Sequence, residues 1–323
     1  MSMIRRPLSL AAAVAGLALT AAMPAQAQDF PQKPITMIIP LGAGGSHDLN
    51  ARVITAILPD IIGEPVVVQL MPGAAGQSGT AAAARAAPDG YTLLYTHNFI
   101  DELQQHVTEL PYDPNEDFVA VARPNFATPI VVVRADSQFA TLKELLDYGR
   151  QHPGELKFGH SGNWGAFMVP GAALLQQAGV EATLVPYQGG GPVMQGLLAG
   201  DIDFTMAFPS VFSGQEQQLT ALAVVGDEKL DILPDVPTTA ELGFEGLDTI
   251  GVMHRVVLAP AGIPDDRLEV LRKAFAQLPE NKTYQKLMAK LGENTEQMGG
   301  AAYQKVRAQQ AQRYQKLVDT LTQ

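Results

Sequence analysis

The amino-acid sequence predicts an α/β protein of two lobes, each a mostly parallel sheet flanked by helices, with two crossover strands between them. Short apolar runs are repeatedly followed by a glycine-rich loop and a helix-period segment, which is typical of parallel sheets. A β-rich segment, 118–133, is broken by Pro124 and Pro129 and leads into a second series of such units. A long apolar run, 249–258, then returns to the first lobe. Two crossings favour a cleft that closes by a hinge.

Residues 1–27 are predicted to be a secretory signal peptide outside the fold. Arg5 and Arg6 form its basic start, residues 8–23 its apolar centre, and 25–27 an A-x-A cleavage site. The apolar run is short for a membrane span. We therefore expect secretion, with cleavage after Ala27.

Composition excludes some classes of partner. The net charge of the 323-residue chain is -11, and loss of the two signal-peptide arginines makes it more negative. This argues against nucleic acid and against anionic membrane surfaces. The chain has no cysteine, so its stability depends on the hydrophobic core without disulfides.

The first strand, its glycine loop and the helix that follows predict an anion-binding site. The apolar run Ile35–Ile39 is read as a buried strand that Pro40 ends, and the loop Gly42–Gly45 follows. We expect Ser46 or Asp48 to cap the next helix. Glycine loop and helix N-terminus together present unpaired N–H groups and the positive end of a helix dipole.

Four other segments follow predicted strands in the same way. They are the loop 71–79, the pair His97–Asn98, and the second-lobe loops 159–165 and 186–192. The carboxyl ends of parallel strands meet at one edge of a sheet, where ligands bind. We therefore expect these segments to line the cleft.

A series of ordered motifs resembles the solute-binding receptors of tripartite tricarboxylate transporters, the Bug family. The resemblance covers nearly the whole chain after the signal peptide. It rests on these segments: Pro31 to Ile35, Gly44 to Arg52, Gly63 to Val68, Pro72 to Gly76, Pro88 to Leu94, Leu110 to Phe118, Pro186 to Gly189, Leu233 to Thr238 and Ala259 to Gly262.

The resemblance implies a type II-like periplasmic-binding-protein fold, or Venus flytrap, and a function. Lobe 1 would comprise residues 28–126 and 248–323, and lobe 2 residues 127–247. The protein would be a monomeric periplasmic receptor, not an enzyme, that delivers a small carboxylate to transporter membrane subunits. Family members hold the ligand carboxylate with backbone N–H groups and bridging waters.

The predicted ligand-binding residues come from these loops, from two strand ends and from the returning strand. They are Leu41, Gly42, Gly44, Gly45, Ser46, Asp48, Ala74, Ala75, Gly76, His97, Asn98, Ser161, Asn163, Trp164, Tyr187, Gln188, Asp203 and His254. In the second lobe the family's serine-rich loop is replaced by residues 160–164, and its usual lysine by Gln188. The identity of the ligand therefore cannot be inferred from the ligands of other family members.

Several of these residues can be interpreted in two ways. Trp164, the single tryptophan, is either core or a stacking surface over the ligand, and we favour stacking. For Asp203 we favour a structural role. His254 and Arg255 alternate along a strand, so at most one faces the cleft. Arg255 would be a direct partner for a second ligand carboxylate or a member of a surface ion pair.

Two other functions stay open. Ser46–His47–Asp48 has the residue types of a hydrolase triad, and Ser161 lies in an approximate nucleophile elbow. A serine hydrolase or transferase is therefore the alternative from another class, and a protein that feeds a sensor kinase is a third. The loop does not fit the G-x-G-x-x-G pattern, and no ligand cluster has metal spacing. We expect no cofactor and no metal.

Overall fold

The computed structural model describes residues 30–321, so the predicted signal peptide and its cleavage site lie outside the described residues. From Pro31 onward the chain forms one compact unit. Within that range lie two separate sheets with helices around them. No helix of the described range is long and apolar enough to cross a membrane.

In the described range the first sheet has the strand order β2-β1-β3-β10-β4-β11. Strands β1, β2 and β3 are parallel, whereas β10 runs antiparallel to both of its neighbours. Its strands are β1 (Ile35–Ile39), β2 (Val66–Leu70), β3 (Thr92–His97), β4 (Phe118–Ala127), β10 (Met253–Pro260) and β11 (Met298–Gly299).

The second sheet has the order β7-β6-β8-β5-β9. Its strands are β5 (Ile130–Arg134), β6 (Lys157–His160), β7 (Thr183–Pro186), β8 (Phe204–Ala207) and β9 (Leu219–Val224). Here β5, the strand that enters from the first lobe, is the antiparallel one. Both sheets therefore share one feature, in which an antiparallel crossover strand lies next to the third strand of a mostly parallel sheet, and the first sheet has a second antiparallel strand, β11, at its edge.

Helices follow most of the strands. They are α1 (Ser46–Ile62), α2 (Gln77–Ala84), α3 (Leu142–Gln151), α4 (Met168–Ala178), α5 (Gly190–Ala199), α6 (Pro209–Phe212), α7 (Asp248–Gly251), α8 (Asp265–Ala276), α9 (Lys282–Lys290) and α10 (Gly300–Leu321). The helix α3 begins with a complete capping box between Thr141 and Glu144.

The structure corrects two local predictions. The cap of α1 is Gly45, without a side-chain hydrogen bond, whereas Ser46 and Asp48 lie inside the helix. The predicted strand 249–258 begins as the short helix α7. In addition, Phe99–Leu103 forms a π-helix, followed by a 3₁₀ turn.

The two prolines of the β-rich segment have different outcomes. Pro124 lies inside β4, beside a register irregularity in the pairing with β10, and a bulge is where a sheet tolerates proline. Pro129 stands between the end of β4 in the first sheet and the start of β5 in the second. The predicted lobe limits at residues 126–127 and 247–248 fall near these crossovers and stay a prediction.

Candidate ligand-binding site between the lobes

The glycine loops of the two lobes touch through their backbones. A Cβ on Gly191 would stand 2.1 Å from the oxygen of Ala43, and one on Gly42 would stand 2.8 Å from the oxygen of Gln188. Since only glycine permits such an approach, the sequence of both loops is adapted to one closed arrangement.

A small cavity of about 20 Å³ lies between the lobes, and we call it the inner cavity. Its volume suits one water molecule. First-lobe residues come from the loop before α1, from the end of β3 and from β10, and second-lobe residues come from three other segments. The lining is Leu41, Gly42, Gly45, Ser46, His47, His97, Ser161, Ala166, Phe167, Gly190, Phe208 and Met253.

Three helices point their N-termini at the inner cavity. The starts of α1, α4 and α5 contribute lining residues, and their caps are Gly45, Phe167 and Gly189. None of these caps makes a side-chain hydrogen bond. In α4 the N–H of Val169 donates to the carbonyl of Gly165, whereas the first N–H groups of α1 and α5 lack an intrahelical partner, and each helix start carries a partial positive charge of about half a unit. Such a convergence attracts an anion.

Two buried imidazoles complete the inner cavity. The ring centroids of His47 and His97 are 5.0 Å apart. Burial lowers the pKa of His47 well below its usual value and that of His97 to about 3, so both are neutral at pH 7. Nε2 of His47 donates to the carbonyl of Thr96 at 3.1 Å. Nδ1 of His97 is buried without a hydrogen-bond partner.

Arg255 is next to the cavity but does not line it. Its guanidinium is fully buried, pairs with both oxygens of Glu293 at 2.8 Å, and donates to Oγ of Ser46 and to Oδ1 of Asn125. Both earlier interpretations of Arg255, as a direct ligand partner and as a surface ion pair, are therefore wrong. Because Arg255 occupies a lone pair of Ser46, the hydroxyl proton of Ser46 is free to donate to an anion.

A second space, the outer groove, has a volume of about 710 Å³. It is lined by Ala74, Ala75, Gln77, Gln104, Val107, Thr108, Gly162, Asn163, Trp164, Met168, Pro186, Tyr187 and Gln188. Ser161 lines the inner cavity and Gly162 the outer groove, so the two spaces are neighbours along one loop. A Cβ on Gly162 would stand 3.3 Å from that of Ala75, which is a further contact between the lobes.

Backbone strain is concentrated at the outer groove. Among the described residues, the non-glycine residues with positive φ are Ala74 (46°), Ala75 (53°) and Trp164 (56°), and all three line this groove. Strain of this kind is retained mainly at sites where the backbone geometry has a function.

Of the predicted site residues, twelve line one of these two spaces. The inner cavity receives Leu41, Gly42, Gly45, Ser46, His97 and Ser161, and the outer groove receives Ala74, Ala75, Asn163, Trp164, Tyr187 and Gln188. Trp164 is half-buried and also packs on the core. The structure thus brings residues from five loops and strand ends together, and their contact with a ligand stays a prediction.

The other six predicted residues line neither space. Asp48 accepts from the backbone N–H of Gly44 at 2.9 Å and pairs with Arg52, so it fixes its own loop. Gly76 caps α2, where a Cβ would meet Ile100.

Asp203 precedes β8 and accepts from the N–H of Lys157 at 2.7 Å, at the sheet edge opposite to the strand ends. This fits the structural role that we favour for it.

Asn98 and His254 hold the C-terminal helix. The amide of Asn98 bonds the backbone of Val252 and His254 and the hydroxyl of Tyr314 on α10. The ring of His254 bonds Gln310 of the same helix. These side chains already have partners within the protein, which corrects their assignment to the cleft.

Sequence reasoning missed lining residues that carry no loop signature. His47, Ala166, Phe167, Phe208 and Met253 lie on a helix, at helix starts or on a returning strand. A signal existed only for His47, which stands inside the glycine loop–helix motif. The other four residues line the cavity only because the two lobes come together around it.

The hydrolase motifs do not assemble a catalytic triad. Oγ of Ser46 bonds Arg255, Nε2 of His47 bonds a carbonyl, and Asp48 bonds Gly44 and Arg52. A triad needs the three side chains to bond one another. The hydrolase alternative thus has no geometric support from these three residues.

Comparison with known proteins gives one consistent answer. A family model described as "Tripartite tricarboxylate transporter family receptor" matches residues 50–322. A protein of Cupriavidus necator, "UPF0065 protein in gbd 5'region", is 32% identical over 97% of this chain and 95% of its own length. "Protein BugT" of Bordetella pertussis is 30% identical, and the alignment covers 84% of each chain.

Solved structures agree. The periplasmic binding protein BugD superposes with a TM-score of 0.86 at 27% identity, over 91% of this chain and 99% of its own. MatC from Rhodopseudomonas palustris, solved with bound malate, gives 0.81 at 25% identity, over 90% and 100%. The fold is therefore the two-lobed α/β fold of periplasmic binding proteins, and the chain belongs to the tripartite tricarboxylate transporter receptor family, a family of solute-binding proteins.

Proposed function

We propose that this protein is a periplasmic receptor that captures a small organic carboxylate between its lobes and delivers it to tripartite tricarboxylate transporter membrane subunits. The observation that carries the proposal is that the starts of α1, α4 and α5 meet at the inner cavity, each with a cap residue that makes no side-chain hydrogen bond. MatC, a relative with the same fold, was solved with a carboxylate, malate.

In this mechanism the open cleft admits the ligand, and its carboxylate replaces water in the inner cavity. Backbone N–H groups at the helix starts and the hydroxyls of Ser46 and Ser161 donate to the carboxylate oxygens. The glycine loops then meet, and the closed arrangement is presented to the membrane subunits. The ligand favours closure because its contacts from both lobes exist together only in the closed form.

The same proposal includes export. The chain would enter the periplasm by its signal peptide with cleavage after Ala27, and lobe 1 (28–126 and 248–323) would close on lobe 2 (127–247). Residues that line the inner cavity would hold the carboxylate, and residues of the outer groove would hold the rest of the ligand.

A thermal-shift screen against carboxylates, each with its matched amide, tests the proposal. A ligand at one hundred times its Kd stabilises the folded state by about 2.7 kcal/mol, so we expect a clear rise in Tm with an acid and none with its amide. Ser161→Ala should weaken the response, whereas Ser78→Ala, an exposed serine outside both spaces, should not. A response to amides alone would contradict the carboxylate site.

A further inference from the structure

Arg255 and Glu293 are buried next to the inner cavity, and the proposed function assigns no role to them. Arg255 is 0% exposed, and its guanidinium donates to both carboxylate oxygens of Glu293 at 2.8 Å. A further hydrogen bond joins the guanidinium to Oγ of Ser46, a residue that lines the inner cavity. A buried ion pair is often no more stabilising than apolar residues of similar volume, so stability alone does not account for this pair.

The hydrogen bond from Arg255 limits how the hydroxyl of Ser46 can act. A hydroxyl both donates and accepts, whereas a guanidinium only donates. The oxygen of Ser46 is therefore the acceptor in this contact, and its proton points away from Arg255. In the part of the chain that the structure describes, this bond is the one side-chain hydrogen bond of Ser46. Ser46 thus presents a donor without an acceptor beside the inner cavity.

An anion at the start of α1 is within reach of this donor. Ser46 is the first residue of α1 and is 5% exposed. Its hydroxyl oxygen and its backbone nitrogen are separated by two carbon atoms, so one carboxylate can accept from both groups. A carboxylate only accepts hydrogen bonds, and a bond to an ionised acceptor is about twice as strong as a neutral one. The hydroxyl of Ser46 therefore suits a ligand carboxylate.

Glu293 fixes the orientation of the guanidinium. Its Oε1 accepts from the backbone N–H of Ser210 at 3.3 Å, which anchors the carboxylate to another segment. Oδ1 of Asn125 also accepts from the guanidinium, at 3.2 Å. Because the donors of a guanidinium lie in one rigid plane, these acceptors hold Arg255 in the orientation that reaches Ser46.

The positive charge of Arg255 also acts on the inner cavity. Burial lowers the pKa of His47 and of His97, and the charge of Arg255 lowers both pKa values further. Both imidazoles line the inner cavity. A charge that disfavours a proton on these rings favours an anion beside them.

We infer that Arg255 is a positioning residue for the ligand carboxylate, and that Glu293 positions Arg255. By holding the oxygen of Ser46, Arg255 directs the hydroxyl proton of Ser46 to the carboxylate without touching the ligand itself. The inference deepens the proposed function and rests on it, because it takes a carboxylate at the start of α1 as given.

A double-mutant cycle with formate tests this inference. Formate is the smallest carboxylate, so its affinity reports the contacts of the carboxylate group alone. Its Kd is obtained from Tm at increasing formate concentration, with chloride keeping the ionic strength constant. The cycle combines Ser46→Ala with an uncharged pair, Arg255→Met plus Glu293→Gln. The uncharged pair keeps an oxygen for the N–H of Ser210 and avoids the isolated buried charge that either change alone would leave.

We expect Ser46→Ala and the uncharged pair each to weaken formate binding about tenfold, the loss of one hydrogen bond to a charged group. All three substitutions together should also weaken it about tenfold, because changes that act through one group are not additive. Arg255→Lys is a second variant that keeps the buried charge but lacks the planar fork. It should show the same loss in the Ser46 protein and little further loss in the Ser46→Ala background.

The matched control is the other buried ion pair of this kind, Arg307 with Asp101, which lines neither the inner cavity nor the outer groove. Arg307→Met plus Asp101→Asn should leave the Kd for formate within about twofold of the wild type. A loss as large as that of the Arg255 variants would assign their effect to general damage and overturn the inference.

The remaining outcomes separate this inference from the proposed function. Additive losses of about a hundredfold in the cycle, or Arg255 variants that bind formate as the wild type does, would overturn the positioning role and leave the carboxylate receptor intact. The same holds if an acid of the wider screen binds but formate does not, since the contacts at Ser46 would then not hold the carboxylate. A protein that binds neither formate nor any acid of the screen would overturn both.

Discussion

Arg255 and Glu293 form a bidentate ion pair in which both nitrogen–oxygen distances are 2.8 Å. The two side chains are 0% and 1% exposed. Glu293 also accepts from the backbone N–H of Ser210 in the second lobe at 3.3 Å. The pair therefore joins β10, the segment after α9 and the second lobe, directly behind Ser46 of the inner cavity.

Removal of the carboxylate from this pair should be strongly destabilising. In Glu293→Ala, Arg255 stays buried without its partner, and we expect a loss of about 3–5 kcal/mol in the free energy of unfolding, measured by urea denaturation. The exposed pair Lys143–Asp147 is the control, since Lys143→Ala should cost less than about 1 kcal/mol. Equal effects at the two sites would contradict the structural importance of the buried pair.

Closure of the lobes should depend on Gly191. The helical backbone there accepts alanine, but the new Cβ would stand 2.1 Å from the oxygen of Ala43 in the other lobe. We expect Gly191→Ala to hold the lobes apart, to increase the radius of gyration in small-angle scattering and to lower ligand affinity at least about tenfold. Gly299→Ala, which meets nothing within 4 Å, should bind as the wild type does. Wild-type compactness in the Gly191 variant would speak against this closed arrangement.

Acid should destabilise the protein through His97. Burial lowers the pKa of this imidazole from 6.5 to about 3 in the folded state, so between these values the unfolded state binds more protons. The free energy of unfolding therefore falls as the pH falls below 6.5, by about 1.4 kcal/mol at pH 5.5 from this residue. Urea denaturation of His97→Gln at pH 7.5 and 5.5 should show a correspondingly smaller loss. Identical losses in both proteins would mean that His97 does not titrate this way.

A rise in pH above 4.5 should destabilise the protein through Glu102. Burial and the neighbouring Asp101 raise the pKa of Glu102 well above 4.5, so its neutral form is the stable one in the fold. The stability that it contributes is complete below pH 4.5 and is lost as the pH rises through the folded-state pKa.

Glu102→Gln stays neutral, and we expect its advantage over the wild type to grow as the pH rises from 4.5 towards the raised pKa of Glu102 in the folded state. Glu269→Gln on an exposed helix face should show no comparable trend. A constant difference between Glu102→Gln and the wild type across this range would contradict a buried neutral carboxyl group.

The sequence predicted local elements well where one signal dominated. Pro40 follows the last residue of β1, as predicted. Prediction from the sequence failed where contacts between residues distant in the sequence determined the local structure. Asp48 had the chemistry of a helix cap, yet Gly45 caps α1 while the carboxylate of Asp48 bonds Gly44 and Arg52.

The candidate site also has features that the local sequence predicts and features that depend on distant contacts. Glycine loops at strand ends could be located from sequence, because glycine and proline act on the backbone around them. The partners of polar side chains could not, since Asn98 and His254 turn to α10, more than fifty residues further along the chain. The alternation of side chains along a strand predicts which residues share a face of the sheet, but it does not predict which other segment of the chain packs against that face.

By itself, the sequence determined a two-lobed α/β fold, its family and the loops that meet at the cleft, because periodicity and ordered motifs are local in the chain. Only the tertiary structure decided that Arg255 is held by Glu293 behind Ser46 and that the buried amide of Gln104 donates to the carbonyl of Ala75. Burial and hydrogen bonding at these positions depend on segments that folding brings together from distant parts of the sequence.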